Sequence, residues 1–171
     1  ITINVTEFFR NPEIFSELKN KIESQLLPKE KNLKIWSAAC SIGAEPYSIA
    51  MILENLKQKG RHSILATDID QNILERAKKG EYVSSEIKNV KKEYLQKYFT
   101  QIKDKYIIDP KIKSMVTFKR HDLILDNYDK GFDLIVCRNV VIYFNQDVKN
   151  EIYRKFSASL KPGGLLFVGA T

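Results

Sequence analysis

The chain has 171 residues, 43% hydrophobic and 29% charged, enough for one globular domain with a sizeable core. Its 28 basic and 21 acidic side chains leave a net charge of +7, which bears on solubility and partners rather than on fold. No apolar run approaches the roughly 20 residues that cross a bilayer, and no signal-peptide pattern opens the sequence. Only two cysteines occur, Cys40 and Cys137, without the paired spacing of a zinc site. A cytoplasmic protein with reduced thiols and no metal is therefore expected, without insertion into a membrane. The Asn4-Val5-Thr6 sequon means little in that setting. The basic residues alternate with acids and apolar residues ("KEKNLK", "NVKKEYLQK", "DPKIK"). That pattern fits a solvated surface or an acidic protein partner; no nucleic-acid motif accompanies it, and no nucleic-acid partner is expected.

Taken in chain order, the first element follows "NVTEFFRNP". Pro12 suits a first helical position, and Ile14, Phe15, Leu18, Ile22 and Leu26 keep helical spacing as far as Pro28. "LKIWSAA" is a short apolar strand. Pro46 then opens a helix that carries Ile49, Ile52, Leu53 and Leu56 on one face and ends at Gly60. "SILATDI" is a second strand, and "DQNILERAKKG" a helix with Asp70 as N-cap and Gly80 as its stop. "KKEYLQKYF" reads as another helix. "KYIIDPKIKSMVTFKR" reads as short strands turning at Asp109-Pro110, an antiparallel insertion over about residues 100–120 on the edge of the sheet. "FDLIVCRN" is a continuous apolar run suited to a buried parallel strand. Val148, Ile152, Phe156 and Leu160 mark a further helix, and "KPGG" leads into a last strand, "LLFVGA". The alternation of strand and helix predicts an α/β fold: a doubly wound, mostly parallel Rossmann-like sheet with a small antiparallel β insertion.

In such a sheet a ligand docks beyond the carboxyl ends of the strands, where strand order reverses. The first strand ends in "SAACSIGAEP". Small residues Ser37, Ala38, Ala39 and Ser41 allow close approach, and Gly43 can take the turn. A dinucleotide fingerprint would show three glycines here; this stretch has one, and an acid, Glu45, beside the helix start. Either Glu45 caps that helix, or it faces a ligand that carries an ammonium group. A pyrophosphate is poorly served by a neighbouring anion. The second strand ends in "ATDID", where Asp68 can accept both hydroxyls of a ribose. "RHDLI" offers Asp122 for an adenine amino group and the Leu123 backbone for a ring nitrogen, although a plain loop acid is equally common. His121 stands alone and reads as a surface residue. Arg138 and Asn139 follow directly from a buried strand and need satisfying partners. Tyr143 faces a ligand at the sheet edge or packs in the core. In "FFR", Phe8 and Phe9 look like core, and Arg10 is open to either a surface or a site role.

The ordered set "NVTEFFR", "IWSAACSIGAEPYSIAM", "ATDID", "FDLIVCRNVVIYF" and "LKPGGLLFVGAT" resembles the catalytic domain of the CheR-type chemotaxis receptor methyltransferases, over nearly the whole chain. The resemblance implies the class I methyltransferase fold, with S-adenosylmethionine as donor and S-adenosylhomocysteine as product. It also implies glutamate side chains on the cytoplasmic domains of chemotaxis receptors as acceptors, giving methyl esters. Carried over by position, Asn4, Thr6 and Arg10 line the donor pocket, Glu45 holds the methionine ammonium and Asp68 the ribose. Asp122 and Leu123 meet the adenine, and Arg138 and Asn139 lie beside the cofactor. Arg10 and Tyr143 are the residues expected to act in the transfer. Three departures stand out. Ala44 replaces a first acid common in the family, the chain begins almost on the first motif without the family's N-terminal helical domain, and it ends before the closing strands. A monomeric fragment is expected. The competing readings are a cofactor-sensing or scaffolding module without turnover, and an RNA methyltransferase suggested only by charge.

Overall fold

The computed structural model describes residues 6–138 and 144–169. Helix α1 spans Pro12–Lys21, with proline in its first turn, and continues as a π-helical turn over Ile22–Leu26. Its apolar stripe buries Phe15, Leu18, Ile22 and Leu26. Strand β1 (Lys34–Ala38) follows, then α2 (Ala44–Asn55), β2 (Ser63–Asp68) and α3 (Gln71–Lys79). Helix α3 has the predicted punctuation. The Asp70 side chain accepts from the Asn72 and Ile73 amides, and Gly80 closes the helix in a left-handed conformation. Strand β3 (Glu81–Tyr82), helix α4 (Lys92–Tyr98), β4 (Phe99–Ile102) and β5 (Lys105–Ile108) form the insertion. Then come α5 (Pro110–Lys113), β6 (Val116–Arg120), β7 (Phe132–Cys137), α6 (Gln146–Ser159) and β8 (Leu160–Val168).

Five strands form the main sheet in the order β6-β2-β1-β7-β8, with every pairing parallel. β1 is central. The chain first winds outward through β2 and β6, then returns to the other side of β1 for β7 and β8. The reversal lies between β1 and β7, paired from Ile35↔Leu134 to Ala38↔Cys137. That is where a crevice opens at the carboxyl edge. Side chains alternate across the sheet. Ile35, Ile64, Leu134 and Val136 pack with α1 and α2, whereas Trp36, Ile135 and Cys137 pack with Ile152 and Phe156 of α6. β7 is buried along its whole length; its one charged residue, Asp133, accepts from the Lys34 amide (2.8 Å) and pairs with Lys161.

Three expectations change. Helix α2 starts at Ala44, two residues before Pro46, and ends at Asn55, because Leu56 turns extended (φ −72°, ψ 150°) and is itself buried. Gly60 is not its stop; a side chain there would collide with the Lys31 carbonyl. Asp109-Pro110 is not a turn between strands. Asp109 caps the Lys111 amide and proline starts α5. The insertion also has a different extent. The antiparallel sheet is β3-β5-β4, while Val116–Arg120 pairs parallel with β2 as the edge of the main sheet. One helical turn after Asp109 is enough to carry the chain from one sheet to the other. No helix among the described residues is long and apolar enough to cross a membrane.

Candidate functional site

The carboxyl edge of the sheet is where the backbone is most strained. Among the described residues, five non-glycine positions have positive φ, and four of them (Phe9, Asn11, Ala39, Ser41) lie in the two segments that border the crevice. Such conformations cost about 1–3 kcal/mol each and persist where the surroundings impose them. In the β1–α2 loop, left-handed residues at 39, 41 and 43 alternate with ordinary ones. The loop is pinned at each step: the Cys40 amide donates to the Thr67 carbonyl (2.8 Å) and the Ser41 amide to Asp68 Oδ2 (2.9 Å). The Tyr82 hydroxyl donates to the Ile42 carbonyl (2.6 Å). Gly43, at φ 90°, is walled by Ala77, Tyr47 and Tyr82. Its lack of a side chain therefore serves packing and turn geometry.

Glu45 lies in the first turn of α2, yet it does not cap the helix. Gly43 is the N-cap, and Glu45 Oε1 accepts from the Ser37 hydroxyl of β1 at 2.7 Å. The carboxylate is set deep at the switch point while its residue retains partial exposure. Burial pushes its pKa up to about 7, against the opposing pull of the Ser37 hydrogen bond and the Arg138 charge. A carboxyl in this state is short of a cation.

Asp68 ends β2. Its Oδ2 holds the Ser41 amide and its Oδ1 the Asp70 amide at 3.0 Å, so the side chain ties the first loop to the second. Each oxygen keeps a further lone pair for a ligand hydroxyl. Asp122 Oδ1 accepts from the Ile124 and Leu125 amides (2.8 and 3.1 Å), closing a local turn. Those bonds hold its carboxyl below the usual range. The Leu123 carbonyl is occupied by the Tyr128 hydroxyl at 2.7 Å, leaving its amide as the group that can meet a ring. Thr6 reaches the same edge, with its hydroxyl 3.5 Å from that of Ser41.

Arg138 directly follows β7 at this edge. Its guanidinium turns to the N-terminal segment, donating from Nη1 to the Arg10 carbonyl (2.9 Å) and from Nη2 to Asn11 Oδ1 (2.7 Å), and lies over the Phe15 ring. These bonds occupy both terminal nitrogens of a side chain that is only 6% exposed, while its buried Nε keeps no partner among the described residues. Burial lowers its pKa, with the Glu45 charge opposing and the Arg10 charge adding to the effect. Phe8 and Phe9 are core residues, as their sequence suggests. His121 is a correction: it is buried, edge-on to Trp36 and Tyr128, with Nε2 on the Asn127 carbonyl. The aromatic cluster beneath α6 needs a cover at the end of β6, and the imidazole supplies it. The Cys40 and Cys137 thiols are free, buried, and pushed far up by that burial. Asn4, Asn139 and Tyr143 lie outside the described residues.

The structure thus brings Thr6, the Arg10 backbone, Glu45, Asp68 and Arg138 to one edge, with Asp122 and Leu123 following the neighbouring strand β6. It adds Ser37, Asn11, Ser48 and Tyr82, which sequence spacing did not single out as partners. Their signal is weak because Asn11, Ser48 and Tyr82 each bond a residue 39 or more positions away, and the Ser37–Glu45 bond depends on how β1 meets α2.

Comparison with known proteins identifies a family for the chain. Residues 4–171 match the family model described as CheR methyltransferase, SAM binding domain. The chain is 45% identical to a chemotaxis protein methyltransferase of Listeria monocytogenes over all of its own length and 66% of that protein's. It is 38% identical to the chemotaxis protein methyltransferase of Escherichia coli K12, over 99% of this chain and 60% of that one. The chain therefore spans just under two thirds of the length of these relatives. Among solved structures, the glycopeptide N-methyltransferase MtfA complexed with sinefungin is similar at a TM-score of 0.59 and 10% identity, covering 96% of this chain and 50% of that one. PKMT2 from Rickettsia typhi is similar at 0.58 and 17%, covering 98% and 26%. At these identities the likeness concerns the fold alone.

Proposed function

Because the chain belongs to the CheR methyltransferase family, matching its SAM-binding domain over residues 4–171, we propose that it is the donor-binding catalytic part of a cytoplasmic enzyme that methylates glutamate side chains of chemotaxis receptors. The observation that carries this reading is Glu45: a desolvated carboxylate at the switch point, bound to one hydroxyl and free of any capping duty. It fits the ammonium of an amino-acid tail, which S-adenosylmethionine has and pyrophosphate cofactors lack. Asp68, with a lone pair left on each oxygen, fits a ribose diol. The Leu123 amide fits an adenine nitrogen, and the open oxygen of Asp122 fits the exocyclic amine.

When bound, S-adenosylmethionine supplies an electrophilic methyl group on a positively charged sulfur. The residues of the chain then have a task of alignment. A glutamate acceptor has a reference pKa of about 4.3 and is already ionised at neutral pH, so no general base is required. Arg10 draws the acceptor carboxylate to the crevice by charge and orients it with its planar fork. Tyr143, outside the described residues, is the second residue we assign to the acceptor side, on the family resemblance. Correct orientation of such a pair is worth up to about 7–11 kcal/mol in favourable cases.

The test uses the full-length protein with radiolabelled donor, offered receptor-containing membranes or RNA. Base-labile label on receptor glutamates is the expected result. Label in RNA, or donor binding without any transfer, would replace this reading with one of its rivals.

A further inference from the structure

The segment Thr6–Asn11 precedes β1 in the chain, yet it is seated at the carboxyl edge, and the way it is held is specific. Phe9 and Asn11 both adopt left-handed conformations, φ 52° and 57°, with Arg10 between them. Asparagine tolerates this region, but a phenylalanine does not, so the turn at Phe9 must be imposed by its surroundings. The Phe9 amide donates to Ser48 Oγ at 3.0 Å, and that hydroxyl, fully buried, donates on to the Ala44 carbonyl at 2.7 Å. Arg138 holds the other side through the Arg10 carbonyl and Asn11 Oδ1. Asn11 occupies the N-cap of α1, where a carboxamide ordinarily accepts from first-turn amides, but it makes no such bond. Its oxygen is committed to Arg138 instead.

These holders belong to the donor site. Ser48 and Glu45 lie three apart on α2, on one face of the helix, and the Arg138 charge acts directly on Glu45. We propose that Asn11 is a positioning residue for Arg10: its carboxamide, locked to the Arg138 guanidinium, holds the left-handed turn that keeps Arg10 at the carboxyl edge. This rests on the reading of Arg10 as the cation facing the acceptor. An asparagine that merely ended α1 would use its side chain on the helix, and its loss would lower stability without separating rate from donor affinity.

The experiment uses the full-length protein and two substitutions. Asn11→Gly removes the acceptor oxygen while glycine keeps the left-handed turn accessible. Asn11→Asp retains an oxygen within reach of Nη2. For Asn11→Gly, kcat on receptor falls at least about tenfold while the S-adenosylhomocysteine Kd stays within about threefold. Amide exchange at Phe9 accelerates at least about tenfold as its segment opens locally. Asn11→Asp restores both the rate and the slow exchange to within about threefold of the parent. A kcat for Asn11→Gly within about twofold of the parent, or an Asn11→Asp protein as slow as Asn11→Gly, overturns the proposal. If the parent methylates no receptor at all, the function reading fails instead. The Phe9 exchange then decides the clamp alone, and unchanged exchange in Asn11→Gly overturns it.

Discussion

Glu45 makes donor binding a proton-linked event. Its carboxyl titrates near 7 before ligand arrives, raised from 4.5 chiefly by burial. A cationic ligand recognises only the ionised form, so the apparent Kd is the intrinsic Kd divided by the ionised fraction. With a pKa near 7, that fraction is about three quarters at pH 7.5 and about 3% at pH 5.5. Affinity for S-adenosylhomocysteine should therefore fall about 25-fold between those values, close to 2 kcal/mol. Calorimetry at pH 6 in buffers of different ionisation enthalpy should register nearly one proton released per ligand bound. Glu45→Gln keeps the Ser37 contact and the shape of the site but has nothing to titrate. It should bind at least about tenfold more weakly at pH 7.5, for loss of a charge-assisted bond, and show a flat profile below. A parent protein with the same affinity at both pH values and no proton release would refute the reasoning. So would a Glu45→Gln variant that keeps the parent's slope.

The same group affects the ligand-free fold with the opposite sense. Between about pH 4.5 and 7 the folded state retains a proton that the unfolded chain has lost, so stability falls as pH rises through that window, by up to roughly 3 kcal/mol; urea midpoints of the parent minus those of Glu45→Gln should trace this loss and level off above pH 7. Gly43→Ala places a methyl group 3.1 Å from Ala77 and Tyr47 at φ 90°, and should cost about 1–3 kcal/mol in a urea titration; an unchanged midpoint would mean the loop is looser than its hydrogen bonds indicate. Asp68→Asn turns one acceptor towards a backbone amide as a donor, and should weaken donor binding about tenfold or more while the far-ultraviolet circular dichroism is retained; parent-like affinity would leave Asp68 as a loop tie alone. Tyr143→Phe should lower turnover far more than donor affinity in the full-length enzyme, and full activity would return that residue to the core.

The sequence by itself determined the parallel sheet, since β7 reads as buried along its whole length and α3 carries both of its terminal signals, Asp70 and Gly80. It also determined where the chemistry gathers, because polar residues directly after apolar strands can only lie at the carboxyl edge. Local periodicity and capping chemistry suffice for both. What it could not determine is which local signal yields to packing. Gly60 looks like a helix stop, but the burial of Leu56 ends α2 earlier. Asp109-Pro110 looks like a turn between strands, but a short helix there delivers β6 to the main sheet. His121 looks exposed until Trp36 and Tyr128 are seen to pack against it. The holders of the site were likewise decided only by tertiary structure. Asn11 and Arg138 stand 127 residues apart, and Phe9 and Ser48 stand 39 apart. Each pair meets through one hydrogen bond, and a single long-range contact leaves no periodic trace along the chain.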